Sequence, residues 1–78
     1  MNEIFYRIRE DCENGQTSYG VEVWENCVLT EYIPNVFTEK KHAEKLADTC
    51  NSYKVPSIHI RDIIENMYFE IYHTSIRL

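Results

Sequence analysis

Glycine and proline are scarce, two of each among 78 residues. With Gly15 and Gly20 as the only glycines, the chain has no glycine-rich loop to cradle a phosphate and no nucleophile elbow. Cysteine is limited to Cys12, Cys27 and Cys50, an odd number, widely spaced and without a CxxC pair. That pattern suggests neither a disulfide framework nor a zinc ribbon. His42, His59 and His73 add no HxxxH or HExxH spacing, so neither a metal nor another cofactor is expected. No apolar run approaches the roughly 18 residues that cross a bilayer, and no basic segment followed by an apolar run starts at Met1. A cytoplasmic protein is expected.

Positive charge is also short. The net charge is −5, and residues 1–33 carry all of the excess: Glu3, Glu10, Asp11, Glu13, Glu22, Glu25 and Glu31 stand against Arg7 and Arg9 alone. A nucleic-acid backbone needs a basic footprint, so direct binding to nucleic acid is not expected; a protein partner with a basic surface fits better. Hydrophobic residues make up 44% and charged residues 27%, as in ordinary globular chains, so the sequence should fold as one domain over residues 1–78. A chain this short buries only about 60 to 65% of its unfolded surface, so a partner or a second copy would add materially to its stability.

Ile4, Tyr6 and Ile8 alternate with Phe5, Arg7 and Arg9, the period of a half-buried strand. Asn14-Gly15 follows, a dipeptide suited to the positive φ angles of a two-residue type I′ turn. A turn there sets Arg9 opposite Gly20, Ile8 opposite Val21, Arg7 opposite Glu22, Tyr6 opposite Val23 and Phe5 opposite Trp24. A second turn at Glu25-Asn26 would set Trp24 opposite Cys27, Val23 opposite Val28 and Tyr19 opposite Tyr32. Both registers then place Ile4, Tyr6, Ile8, Tyr19, Val21, Val23, Val28, Thr30 and Tyr32 on a core face. Phe5, Arg7, Arg9, Glu22, Trp24, Cys27, Leu29 and Glu31 fall on the other. Pro34 is expected to end the third strand.

Thr38 is suited to cap a helix over about residues 39–52, with Ala43, Leu46, Ala47, Cys50 and Tyr53 on its apolar stripe. After Pro56, the residues Ile60, Ile63, Ile64, Met67 and Ile71 recur at helical spacing and predict a second helix from about 58 to 72. The aromatic and β-branched run from Tyr68 leaves a fourth strand near the C-terminus as the alternative. The expected class is therefore α+β: a three-stranded antiparallel meander followed by two helices packed on one face.

Segments "YGVEV", "IPNVFTEKKHAEKLADTCN" and "VPSIHIRDIIENM" resemble a group of small uncharacterised domains from clostridial and related anaerobic bacteria. The resemblance spans about residues 19–67, departs at Asn66 and from Tyr68 onward, and implies a bacterial or phage cytoplasmic setting without an activity. It assigns no residue a role.

The pair of helices can cover one sheet face only, which leaves Phe5, Trp24, Cys27 and Leu29 against solvent. Arg7 opposite Glu22, and Arg9 diagonal to Glu31, would frame that apolar centre, and an apolar patch rimmed by charge marks a contact site. The expected function is a non-enzymatic protein-binding module using Phe5, Arg7, Glu22, Trp24, Glu25, Cys27, Leu29 and Glu31. Its narrower form is an acidic phage or mobile-element inhibitor of a host nucleic-acid-binding protein, the carboxylates standing in for phosphates. The alternative is a homodimer or regulatory subunit that associates through the same face.

Overall fold

Alternating apolar residues and two asparagine-led turns produce three strands of equal length. The computed structural model describes residues 3–73 in the order β1 (Ile4–Glu13), β2 (Gln16–Glu25), β3 (Val28–Phe37), α1 (Lys40–Ser52), a 3-10 turn (Ser57–His59) and α2 (Ile60–His73). The strands form one antiparallel sheet in the order β1-β2-β3. Both helices contribute to a single core against one of its faces, which is the expected α+β meander.

The first hairpin has the register set by Asn14-Gly15. Phe5 faces Trp24, Arg7 faces Glu22 and Arg9 faces Gly20, and the two turn residues have φ of 55° and 78°. The second hairpin departs from expectation by one residue. Its turn is Asn26-Cys27, with φ of 53° and 68°, so Glu25 faces Val28 and Trp24 faces Leu29. Asparagine tolerates the left-handed region where glutamate does not. Asn26 is also tied to β1, accepting from Glu3 N–H on its side chain (3.0 Å) and donating its own N–H to Glu3 O (2.8 Å).

A bulge at Thr30 then moves β3 over by one more residue, so that Val23 faces Glu31, Glu22 faces Tyr32 and Val21 faces Ile33. This exchanges the faces of half the strand. Tyr32, expected in the core, lies on the outer face with Glu22, while Glu31, expected outside, lies on the helix-bearing side. There Arg61 of α2 meets its carboxylate at 2.7 Å. Val28 and Thr30, also expected inside, are exposed. Pro34 does not end the strand, because β3 is an edge where a missing donor can face outward. A further irregularity near Asn35 (φ 57°) returns Phe37 to face Tyr19, and Val36 and Phe37 enter the core.

Helix α1 starts one residue later than Thr38 would set it: Glu39 is the N-cap, and its carbonyl accepts from the His42 and Ala43 amides. Ala43, Leu46, Ala47 and Cys50 are buried as expected. Tyr53 is not, standing 78% exposed at the C-cap. The helix ends in a Schellman arrangement with Lys54 at φ 50°, Lys54 N–H on Asn51 O and Val55 N–H on Cys50 O. The chain turns away before Tyr53 can extend the stripe, and Val55 is buried in its place.

Ile60, Ile64 and Met67 of α2 are buried, and Phe69 is 63% exposed on the opposite side. The helix runs through Tyr68–His73, which overturns the fourth-strand alternative there; positions 74–77 of that alternative lie outside the described residues. Tyr68 donates its hydroxyl to Val36 O and sets its ring edge-on to Phe37 at 5.3 Å, locking α2 to the end of β3.

Asn51, at the end of α1, accepts from the Tyr6 N–H (2.8 Å) and donates to the Tyr6 carbonyl (3.0 Å). The Tyr6 hydroxyl in turn donates to Val55 O. Burial, with Cys50 and the carboxylates of Glu25 and Glu31 nearby, pushes the Tyr6 phenol up to about 12. Helix and strand are thus joined at both ends of one tyrosine.

Candidate functional site

The period of two along β1 and β2 puts Phe5, Arg7, Arg9, Asp11, Gly20, Glu22 and Trp24 on the face that no helix covers. Phe5 and Trp24, directly opposite one another, stack with ring centroids 5.8 Å apart and planes within 6°. The Arg7 guanidinium lies 5.7 Å from the Trp24 ring centroid. Leu29, opposite Trp24, is 39% exposed, so the stack continues into an apolar patch near the second turn; Val28, paired with Glu25, is exposed on the other side of the sheet.

Glu22 is the hub of this face. It is 8% exposed, and both of its oxygens are engaged. The Trp24 indole donates to Oε1 at 2.8 Å, and Arg9 donates through Nε (2.7 Å) and Nη2 (2.6 Å) to Oε2. The indole bond first, and Arg9 second, hold the carboxyl below the ordinary glutamate range against the opposing effect of burial. Arg7, directly opposite, is the weaker partner at 4.0 Å. Arg9, expected to pair with Glu31, therefore takes the place at Glu22 that was expected of Arg7.

Arg9 also lies over the Tyr32 ring at 4.0 Å, and the Tyr32 hydroxyl donates to Asp11 on β1. A ring that starts on β3 and ends on β1 must cross β2, and it does so over Gly20. Any side chain at position 20 would occupy the same space. Burial and the Asp11 carboxylate raise the Tyr32 phenol. Tyr32, Asp11 and Gly20 were not among the expected site residues. The available signal was a lone glycine inside a strand pattern, which marks a close approach.

Of the expected residues, the fold brings Phe5, Arg7, Glu22, Trp24 and Leu29 together. Cys27 is in the exposed turn rather than on the strand face. Glu25 shares the parity of Val21 and Val23, and accepts a 3.4 Å bond from the Thr30 hydroxyl. With Glu31 paired to Arg61 and Glu22 buried, none of the three carboxylates expected to face a basic partner is presented on the outer face. The acidity and the aromatic patch are separate surfaces.

No family model, curated protein or solved structure matches the chain. Among the described residues there is no group of three or more His, Cys, Asp and Glu arranged to hold a metal ion, and no helix is long and apolar enough to cross a membrane. Cys50 is buried, which pushes its thiol up to about 11 and makes it unreactive.

Proposed function

We propose that this chain is a non-enzymatic protein-binding module that docks through the uncovered sheet face, with Phe5, Trp24 and Leu29 as the contact and Arg7 at its margin. The observation that carries this reading is the Phe5 and Trp24 stack, anchored on one side by the indole bond to Glu22 and continuous with the exposed side chain of Leu29. Trp24 has its N–H satisfied within the sheet, so it presents an apolar plane without an orphan donor. Its orientation is fixed before any partner arrives, which lowers the ordering cost of association.

The narrower proposal is an acidic phage or mobile-element inhibitor of a host nucleic-acid-binding protein, acting in the cytoplasm. The net charge of −5 supports it, but Glu22, Glu25 and Glu31 do not, since they are buried or turned to the helix side. In that form the apolar patch supplies affinity, and carboxylates elsewhere supply steering toward a basic protein.

A photo-crosslinking residue at position 29, introduced in the native cell, tests the docking face. A discrete adduct is expected that is absent when the same residue replaces Lys45 on α1. An adduct of twice the 9.4 kDa chain mass would instead assign the face to a homodimer. No adduct above the Lys45 control would refute use of this face by either route.

A further inference from the structure

The edge of β1 offers backbone groups that the sheet face does not use. Tyr6 turns its N–H and carbonyl away from β2, and the Asn51 amide takes both, as a neighbouring strand would. Backbone groups alternate along a strand, so Ile8, Glu10 and Cys12 point the same way as Tyr6. Among the described residues no element pairs with the edge at those three positions.

Beside this edge a groove of 570 Å³ runs between β1 and α1, with Ile8 and Ala47 as its apolar lining and Glu44 and Asp48 as its acids. Both carboxylates are exposed, and among the described residues neither forms an ion pair; the same holds for Glu10 on the edge itself. Arg7 also lines the groove, but its guanidinium lies over Trp24 on the outer face.

We propose that the β1 edge from Ile8 to Cys12 receives an extended, basic segment of a partner protein as an added strand. The added strand would continue the pairing that Asn51 begins. Main-chain bonds hold an added strand whatever its sequence, and flanking side chains choose among guests. Here the choice falls on lysine or arginine at alternate positions. Asn51 meets Tyr6 while Ala47 and Ile8 share the groove, so α1 runs alongside β1 in the opposite direction. Glu44 and Asp48 are then about 6 Å apart along the helix. Alternate side chains of a strand are about 6.6 Å apart, so two cations on one face of the guest can each meet a carboxylate. The β3 edge is unsuited to such a guest, since Pro34, the bulges and the positive φ of Asn35 interrupt it.

The test titrates a short synthetic peptide of alternating lysine and valine into the isotope-labelled full chain, reading amide shifts and amide exchange by NMR. The Ile8 and Glu10 amides are expected to shift and to exchange more slowly, while the same peptide with glutamate for lysine leaves them unchanged. Reversal of Glu44 and Asp48 to lysine should weaken binding by about tenfold or more, through two lost pairings and two new repulsions. Glu10→Pro removes an outward N–H and no rung to β2, and should abolish the response; Trp24 fluorescence checks that it folds. If it does not fold, the Ile8 exchange rate and the charge-reversed variant decide. Leu29→Glu, on the other face, should leave the peptide response intact, so this proposal and the docking face fail separately. No response at Ile8 and Glu10, a response confined to Trp24 and Leu29, or equal affinity after charge reversal would overturn it.

Discussion

A methyl group at position 20 has no space to occupy. Built on the Gly20 backbone, its carbon would be 2.5 Å from the Ile33 carbonyl oxygen and 2.8 and 2.9 Å from Cε1 and the hydroxyl of Tyr32. Non-bonded carbon and oxygen ordinarily keep about 3.3 Å apart, so the β3 backbone must retreat by about 0.8 Å and the Tyr32 ring must leave its place under Arg9. Overpacking of this kind costs about 1 to 3 kcal/mol, and losing the Tyr32 bond to Asp11 adds about 1 kcal/mol. Restriction of the unfolded chain by alanine returns about 0.4 to 1 kcal/mol. The net loss for Gly20→Ala is about 1 to 3.5 kcal/mol, equivalent to a fall in Tm of about 4 to 28 °C for a domain this small. Circular dichroism melts measure it, with Trp24 fluorescence reporting the outer face. In a Tyr32→Leu background the cost should shrink without vanishing, because the ring conflict goes and the carbonyl conflict stays. A Gly20→Ala variant within about 0.5 kcal/mol of the parent would refute the crossing of Tyr32 over β2.

Glu22 gives a pH signature. Its carboxyl is held below the ordinary value of 4.5 by Trp24 and Arg9, so its contribution to stability is present above that value and is lost as pH falls through the lowered one. Chemical denaturation between neutral pH and pH below 4 should show this acid limb reduced in Glu22→Gln, which is also less stable at neutral pH because Arg9 loses its charged partner; an unchanged limb would contradict the pairing. Cys27 stands at φ 68° where the first hairpin has glycine. Cys27→Gly relieves about 1 to 2 kcal/mol of left-handed strain against about 0.5 to 1 kcal/mol of added chain freedom, so a gain of up to about 1.5 kcal/mol is expected in denaturant melts. A loss would speak against the Asn26-Cys27 turn.

The first hairpin was legible because Asn14-Gly15 admits one turn and the apolar alternation admits one register. The second was legible in outline only. Glutamate at a left-handed position loses to asparagine, which moved the turn from Glu25-Asn26 to Asn26-Cys27. The bulge at Thr30 could not be read locally, since it turns Glu31 inward and Tyr32 outward, against the polarity of both. What permits it is elsewhere in the chain: Arg61 neutralises Glu31, and the bare backbone at Gly20 accommodates the Tyr32 ring. Phe5 and Trp24 were placed correctly because they depend on the first hairpin alone. Glu22 was placed correctly and misjudged, because its burial depends on Arg9 folding over it from the neighbouring strand.

The Asn51 clamp on Tyr6 makes the length of the open β1 edge depend on a helix. When the end of α1 lifts away, Tyr6 joins Ile8, Glu10 and Cys12 in one uninterrupted open edge, a longer template on which another strand can add. Late docking of α1 during folding would leave the meander exposed for as long as docking takes.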